Sequence, residues 1–161
     1  MPSGRVHAKC TAVLAIPACF MTLGATGQWT SGIACGLGCL SGIALTPDLD
    51  QEGLSNSEYW LIKWTLGLGF LWTMLWYPYA RLCKHRSILS HFPVLSTLGR
   101  LFYLALFPTA AVYLGWQPPL QDWIIYRAPA LWAVAGLLIS DTAHWALDTK
   151  FGDASSRRRR R

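Results

Sequence analysis

Two of the four histidines, His85 and His91, lie six positions apart in the stretch Lys84-His85-Arg86-Ser87-Ile88-Leu89-Ser90-His91. The chain on either side is apolar. Three other polar spots recur in similarly oily surroundings: His7; the run Pro47-Asp48-Leu49-Asp50; and Asp141 with His144 and Asp148. Imidazoles and carboxylates are costly to bury without compensation. A divalent metal ion compensates a mixed set of this kind.

Asp141, His144 and Asp148 are spaced i, i+3, i+7. At about 100° per residue they fall within an arc of about 60° on one helix. An Asp and a His one turn apart can reach the same ion. The competing reading is capping and solvation at a helix end, which suits Asp148 better than Asp141. Asp48 and Asp50 repel each other unless a cation sits near them, although Asp is also common in turns. A lone histidine is most often a satisfied core residue, so the argument rests on the set. The expected ligands are His7, Asp48, Asp50, His85, His91, Asp141 and His144, around zinc or manganese. Asp50 or Asp148, if outside the ligand set, could act as general base. Arg86 could offer a fork of donors to a phosphate. Ser87 and Ser90 could hydrogen-bond an imidazole or a substrate oxygen.

These residues need elements to carry them. The chain has 161 residues, 53% hydrophobic and only 14% charged, with nine tryptophans and six tyrosines. That composition favours a membrane protein. Four of the five cysteines sit in apolar runs and read as small hydrophobes. Cys35 and Cys39, one turn apart, are weak metal candidates. The expected fold is all-α: a polytopic helical membrane bundle over 1–150, with a disordered basic tail over 151–161. Apolar runs at 10–25, 31–46, 94–115 and 123–147 supply about four spans. Pro47 is expected to end the second. Within it, Gly32-x-x-x-Gly36 and Gly38-x-x-x-Gly42 have the spacing for close helix packing. No strand alternation is evident.

Positive charge orients the bundle. Arg5 and Lys9 place the N-terminus in the cytoplasm. If 59–80 crossed, the basic 81–86 segment and the arginine tail would both lie outside. If it is interfacial or re-entrant instead, every polar cluster falls on the cytoplasmic face of an inner membrane, as do both termini. The net charge is +6, most of it from Arg157–Arg161. Next to a span such a tail favours anionic lipid headgroups over nucleic acid.

At these residues the chain resembles a bacterial family of small metal-binding membrane proteins of unassigned function. The resemblance is carried in order by Met-Pro-Ser-Gly-Arg-Val-His at the start, Pro47-Asp48-Leu49-Asp50, Pro78-Tyr79, His85-Arg86-Ser87 with Ser90-His91, and Asp141-x-x-His144-Trp145. It covers nearly the whole chain before the arginine tail. More loosely, the chain is similar to inner-membrane metal-dependent hydrolases that share Pro-Asp-x-Asp, His-Arg followed by Ser or Thr and His, and a closing His-x-x-x-Asp. Ala8-Lys9 stands where an acidic residue is expected after the first histidine. The resemblance implies metal binding and suggests hydrolysis.

Three functions are therefore in play. The first is a membrane-bound metal-dependent hydrolase acting on a phosphoester or lipid headgroup at the cytoplasmic face. The second is a non-catalytic metal-binding protein with a structural or partner-binding role. The third is a lipid- or nucleic-acid-binding adaptor that uses the arginine tail.

Overall fold

The long apolar runs become helices in a computed structural model of the chain. The structure describes residues 4–50, 54–65, 67, 69–83, 87–117 and 121–158. In chain order these form α1 (Gly4–Thr26), α2 (Trp29–Ser41), a 3-10 turn (Pro47–Asp50), α3 (Asn56–Trp64), α4 (Gly69–Leu82), α5 (Ile88–His91), α6 (Pro93–Tyr113) and α7 (Gln121–Arg158). Among the described residues three helical stretches are long and apolar enough to cross a membrane: Gly4–Thr26, Pro93–Tyr113 and Tyr126–Lys150. Their outward faces carry large apolar side chains such as Ile16, Phe20, Met21, Phe102 and Leu131. Water would penalise such a surface heavily.

The frame is a three-helix packing of α1, α2 and α7. Glycine makes it possible. Along α2, Gly32 and Gly36 sit against Leu23, Cys19 and Ala15 of α1. Gly38 and Gly42 face the other way, where a Cβ would overlap the Ala133 carbonyl and the Ser140 side chain of α7. Gly136 of α7 returns the contact against the Cys35 carbonyl. The two small-residue motifs thus serve two different neighbours, six residues being well short of two full turns. Thr11 of α1 and Ser140 of α7 share a hydrogen bond of 3.1 Å across this core.

Several element bounds differ from those the sequence predicts. Helix α1 begins at Gly4, so His7 is helical; it starts a buried stripe continued by Thr11, Ala15, Ala18 and Thr22. Helix α2 stops at Ser41, well before Pro47, and its 13 residues span only about 20 Å. Its end tightens as the Gly42 N–H donates to Cys39 O and the Ile43 N–H to Leu40 O, both at 3.0 Å. Helix α7 continues past Leu147 to Arg158, so 151–158 are helical here; 159–161 lie outside the described residues.

The 59–80 stretch divides into two helices joined near Gly67, whose φ is +92°. That left-handed value favours glycine. Neither half is long enough to cross a bilayer, with 9 residues in α3 and 14 in α4. The halves pack as a hairpin because Gly69 lets α4 approach Leu61 and Ile62. A capping box starts α3: Ser55 accepts from the Glu58 N–H, and Glu58 accepts from the Ser55 N–H at 2.8 Å. Helix α4 docks through Trp76 and Tyr79, which cluster with Leu49 and Tyr103. The Tyr103 hydroxyl donates to Leu75 O at 2.5 Å.

Candidate metal centre

The start of α1, the 3-10 turn after α2, α5 before α6, and the lower part of α7 converge at one end of the bundle. Each contributes one or two polar side chains. His7 is held there by the α1 stripe. Asp48 and Asp50 project from the 3-10 turn, anchored by buried Leu49. His91 closes α5, just before Pro93 opens α6. His144 and Asp148 are one turn apart on α7.

The distances are short and shared. Asp148 reaches His7 Nε2 with Oδ1 at 3.3 Å and His144 Nε2 with Oδ2 at 3.5 Å. Asp48 Oδ1 lies 3.7 Å from His144 Nε2 and 3.9 Å from His91 Nε2. Donor atoms of His7, His144 and Asp148 lie within 4.8 Å of one another, as do those of Asp48, His91 and His144. Bonds of about 2.0–2.2 Å in tetrahedral array would separate donors by about 3.3–3.6 Å. The observed spacings bracket that range. The rings of His7 and His144 stack at 4.0 Å, and His91 meets His144 edge-on at 6.1 Å.

Two further features fit a cation. His144 Nε2 is buried and makes no hydrogen bond, although two carboxylate oxygens flank it. An imidazole nitrogen has one lone pair, so the two donor groups that meet at His144 cannot each hold an ion through that atom at once. The donor set, three imidazoles and two carboxylates, is also one that holds first-row divalent metals.

The remaining predicted residues lie elsewhere. Asp50 sits behind His91, with Oδ2 at 3.6 Å from Nδ1, the ring nitrogen turned away from Asp48. Ser90 Oγ is 3.2 Å from the same nitrogen. This is the place of a residue that fixes a ligand's tautomer and orientation. Asp141 is fully buried two turns above Asp148. It accepts from Arg100 and Thr97 of α6 and belongs to neither donor group. His85 and Arg86 lie outside the described residues. Cys35 and Cys39 are buried in the helix core with Ala15 and Ala18.

Thr97, Arg100, Thr11 and Ser140 had no part in the predicted site. Arg100 was legible as a cation inside an apolar run. Nothing in the spacing pointed it at Asp141, 41 positions away.

A cavity of about 580 Å³ opens beside the cluster. His7, Asp48 and His144 are among its lining residues. So are Trp60 and Trp64 of α3, Trp72 of α4, and Arg5 and Lys9 of α1. That size and mixture are usual for a small-molecule site.

No curated protein and no solved structure matches the chain. A family model does match, over residues 2–159, and its description is "Uncharacterized metal-binding protein (DUF2227)". The match runs through every segment that builds the cluster, and the chain belongs to this uncharacterised metal-binding family.

Proposed function

We propose that the protein is a membrane-bound metal-dependent hydrolase that acts on a phosphoester or lipid headgroup at the cytoplasmic face. The observation that carries this reading is that three of the clustered donors, His7, Asp48 and His144, line an accessible cavity. His7, His91, His144, Asp48 and Asp148 would hold the ion, with zinc or manganese suiting the donors. When bound, the ion supplies a Lewis acid that activates water and polarises the ester. Asp50 holds His91 from behind and is a positioning residue. Asp48 is the most open of the three carboxylates, with its side chain 23% exposed, and it also lines the cavity. Arg5, Lys9 and Lys150 flank the cluster end of the long helices, which supports a cytoplasmic placement.

A second reading has its own support. The donors come from four separate segments, two of them the short 3-10 turn and α5. An ion there would staple pieces with little packing of their own, without any reaction.

One experiment separates the two. The protein is purified in a non-ionic detergent, its metal is measured by elemental analysis, and its hydrolysis of phosphodiesters and carboxylic esters is followed before and after chelation. The hydrolase reading expects about one ion per chain and turnover that chelation abolishes. Undiminished turnover in the metal-free protein overturns it. Bound metal with no turnover, and a large drop in melting temperature on chelation, selects the staple.

A further inference from the structure

The cavity beside the cluster is lined by two unlike kinds of side chain, and the mixture specifies an occupant. The large apolar groups are Trp60, Trp64 and Trp72. Trp60 is held firmly: it stacks on Trp64 at 6.1 Å and lies under the Arg5 guanidinium at 6.0 Å and the Lys63 ammonium at 5.4 Å. Trp64 remains 74% exposed, so the lining extends to the protein's edge. It also carries two cations, Arg5 and Lys9, one turn apart on the same face of α1. Both are exposed at this cavity, and neither has a carboxylate partner among the described residues. An apolar ligand would leave these charges unused. A small hydrophilic anion would leave the tryptophans unused.

We propose that this cavity binds a long-chain anionic phosphoester drawn from the membrane. Its phosphate would sit against Arg5 and Lys9, and its chain along the tryptophans of the α3–α4 hairpin. Phosphate and basic side chains form charge-assisted hydrogen bonds, the strong class of these contacts. Tryptophan suits the boundary between headgroup and chain because its ring is apolar and its N–H is polar. The two short helices of the hairpin, neither able to cross a bilayer, present those rings at the same end of the molecule as the cluster. The proposal deepens the hydrolase reading by naming the kind of substrate, and rests on that reading only for what happens after binding.

The test measures binding apart from turnover. Full-length protein in neutral detergent is titrated with three probes: a single-chain phosphatidate, a single-chain phosphatidylcholine, and glycerol phosphate. Bound molecules are counted by native mass spectrometry. The single-chain phosphatidate is expected to bind about one per chain. The neutral headgroup should bind about tenfold or more weakly, and glycerol phosphate should not be retained. R5Q/K9Q should weaken the phosphatidate by about tenfold or more while leaving metal content unchanged. W64A, at a position 74% exposed, should weaken every chain-bearing probe. Equal phosphatidate binding by R5Q/K9Q, or equal retention of glycerol phosphate, overturns the proposal. If soluble phosphoesters are still hydrolysed in that case, the hydrolase reading survives alone. Probe binding as expected without any hydrolysis leaves the lipid site standing and removes the hydrolase.

Discussion

Asp141 and Asp148 lie two turns apart on the same stripe of α7, yet they solve the same problem differently. Asp141 is fully buried and faces a permanent cation, the Arg100 guanidinium, with Thr97 as a second donor. Asp148 faces two imidazoles, from His7 and His144. A guanidinium stays protonated at any ordinary pH, so Asp141 is compensated within the protein. Among the described residues Asp148 has imidazoles for partners rather than a permanent cation, and an imidazole is a donor that a metal ion can share with a carboxylate. Burial of a carboxylate is therefore poor evidence for a metal ligand. The identity of its nearest cation decides.

The comparison makes graded predictions. The largest effect belongs to His144→Ala. Both Asp48 and Asp148 face His144 Nε2, so this change removes the donor common to both groups. Elemental analysis of the purified variant should find metal lost from the folded protein. Full retention would mean the carboxylates are compensated in some other way.

Asp141→Asn should act on folding instead. It strands the buried Arg100 charge, a loss of about 3–5 kcal/mol. The melting temperature should fall, while the fraction that still folds keeps its metal. The double variant R100M/D141L removes both charges and should recover most of that stability. Metal loss in D141N at unchanged stability would move Asp141 into the ligand set. A smaller effect is expected of Asp50→Asn, which leaves every donor in place but loosens the support behind His91. Competition with a chelator dye should show metal affinity down by about 10–100-fold.

The helical class was legible because long apolar runs in this composition have few other solutions. The convergence at one end was legible too, because lysine and arginine positions fixed which loops share a side. The split of 59–80 was half legible. Gly67 and Gly69 stood in the sequence, but a turn and a close approach look alike there. The roles within the cluster were not legible. Asp48 and Asp50 are two residues apart, and only the 3-10 turn places one in front of His91 and the other behind it. The pairing of Asp141 with Arg100 was not legible either, because a helical stripe reports direction and says nothing about what waits opposite. His7 lies outside the apolar run expected over 10–25, three residues before it. Its four-residue spacing from Thr11, continued by Ala15, was the available sign that helix had already begun.

Glu58 supplies a third answer to the same problem. Its side chain is nearly buried, 6% exposed, and needs neither a cation nor a metal. Its Oε2 accepts from the Ser55 N–H at 2.8 Å, while Ser55 Oγ accepts from the Glu58 N–H at 3.3 Å. Backbone amides at a helix start carry partial positive charge, enough to hold a carboxylate placed on them. Glu58→Ala should therefore cost only about 0.5–2 kcal/mol. Because α3 carries Trp60 and Trp64, the cost should appear locally. Amide hydrogen exchange should speed up in the first turn of α3 and leave α7 unchanged, with metal content the same as in wild type. If E58A instead released metal, the hairpin and the cluster would be one cooperative unit, and the contrast among the three carboxylates would be one of degree.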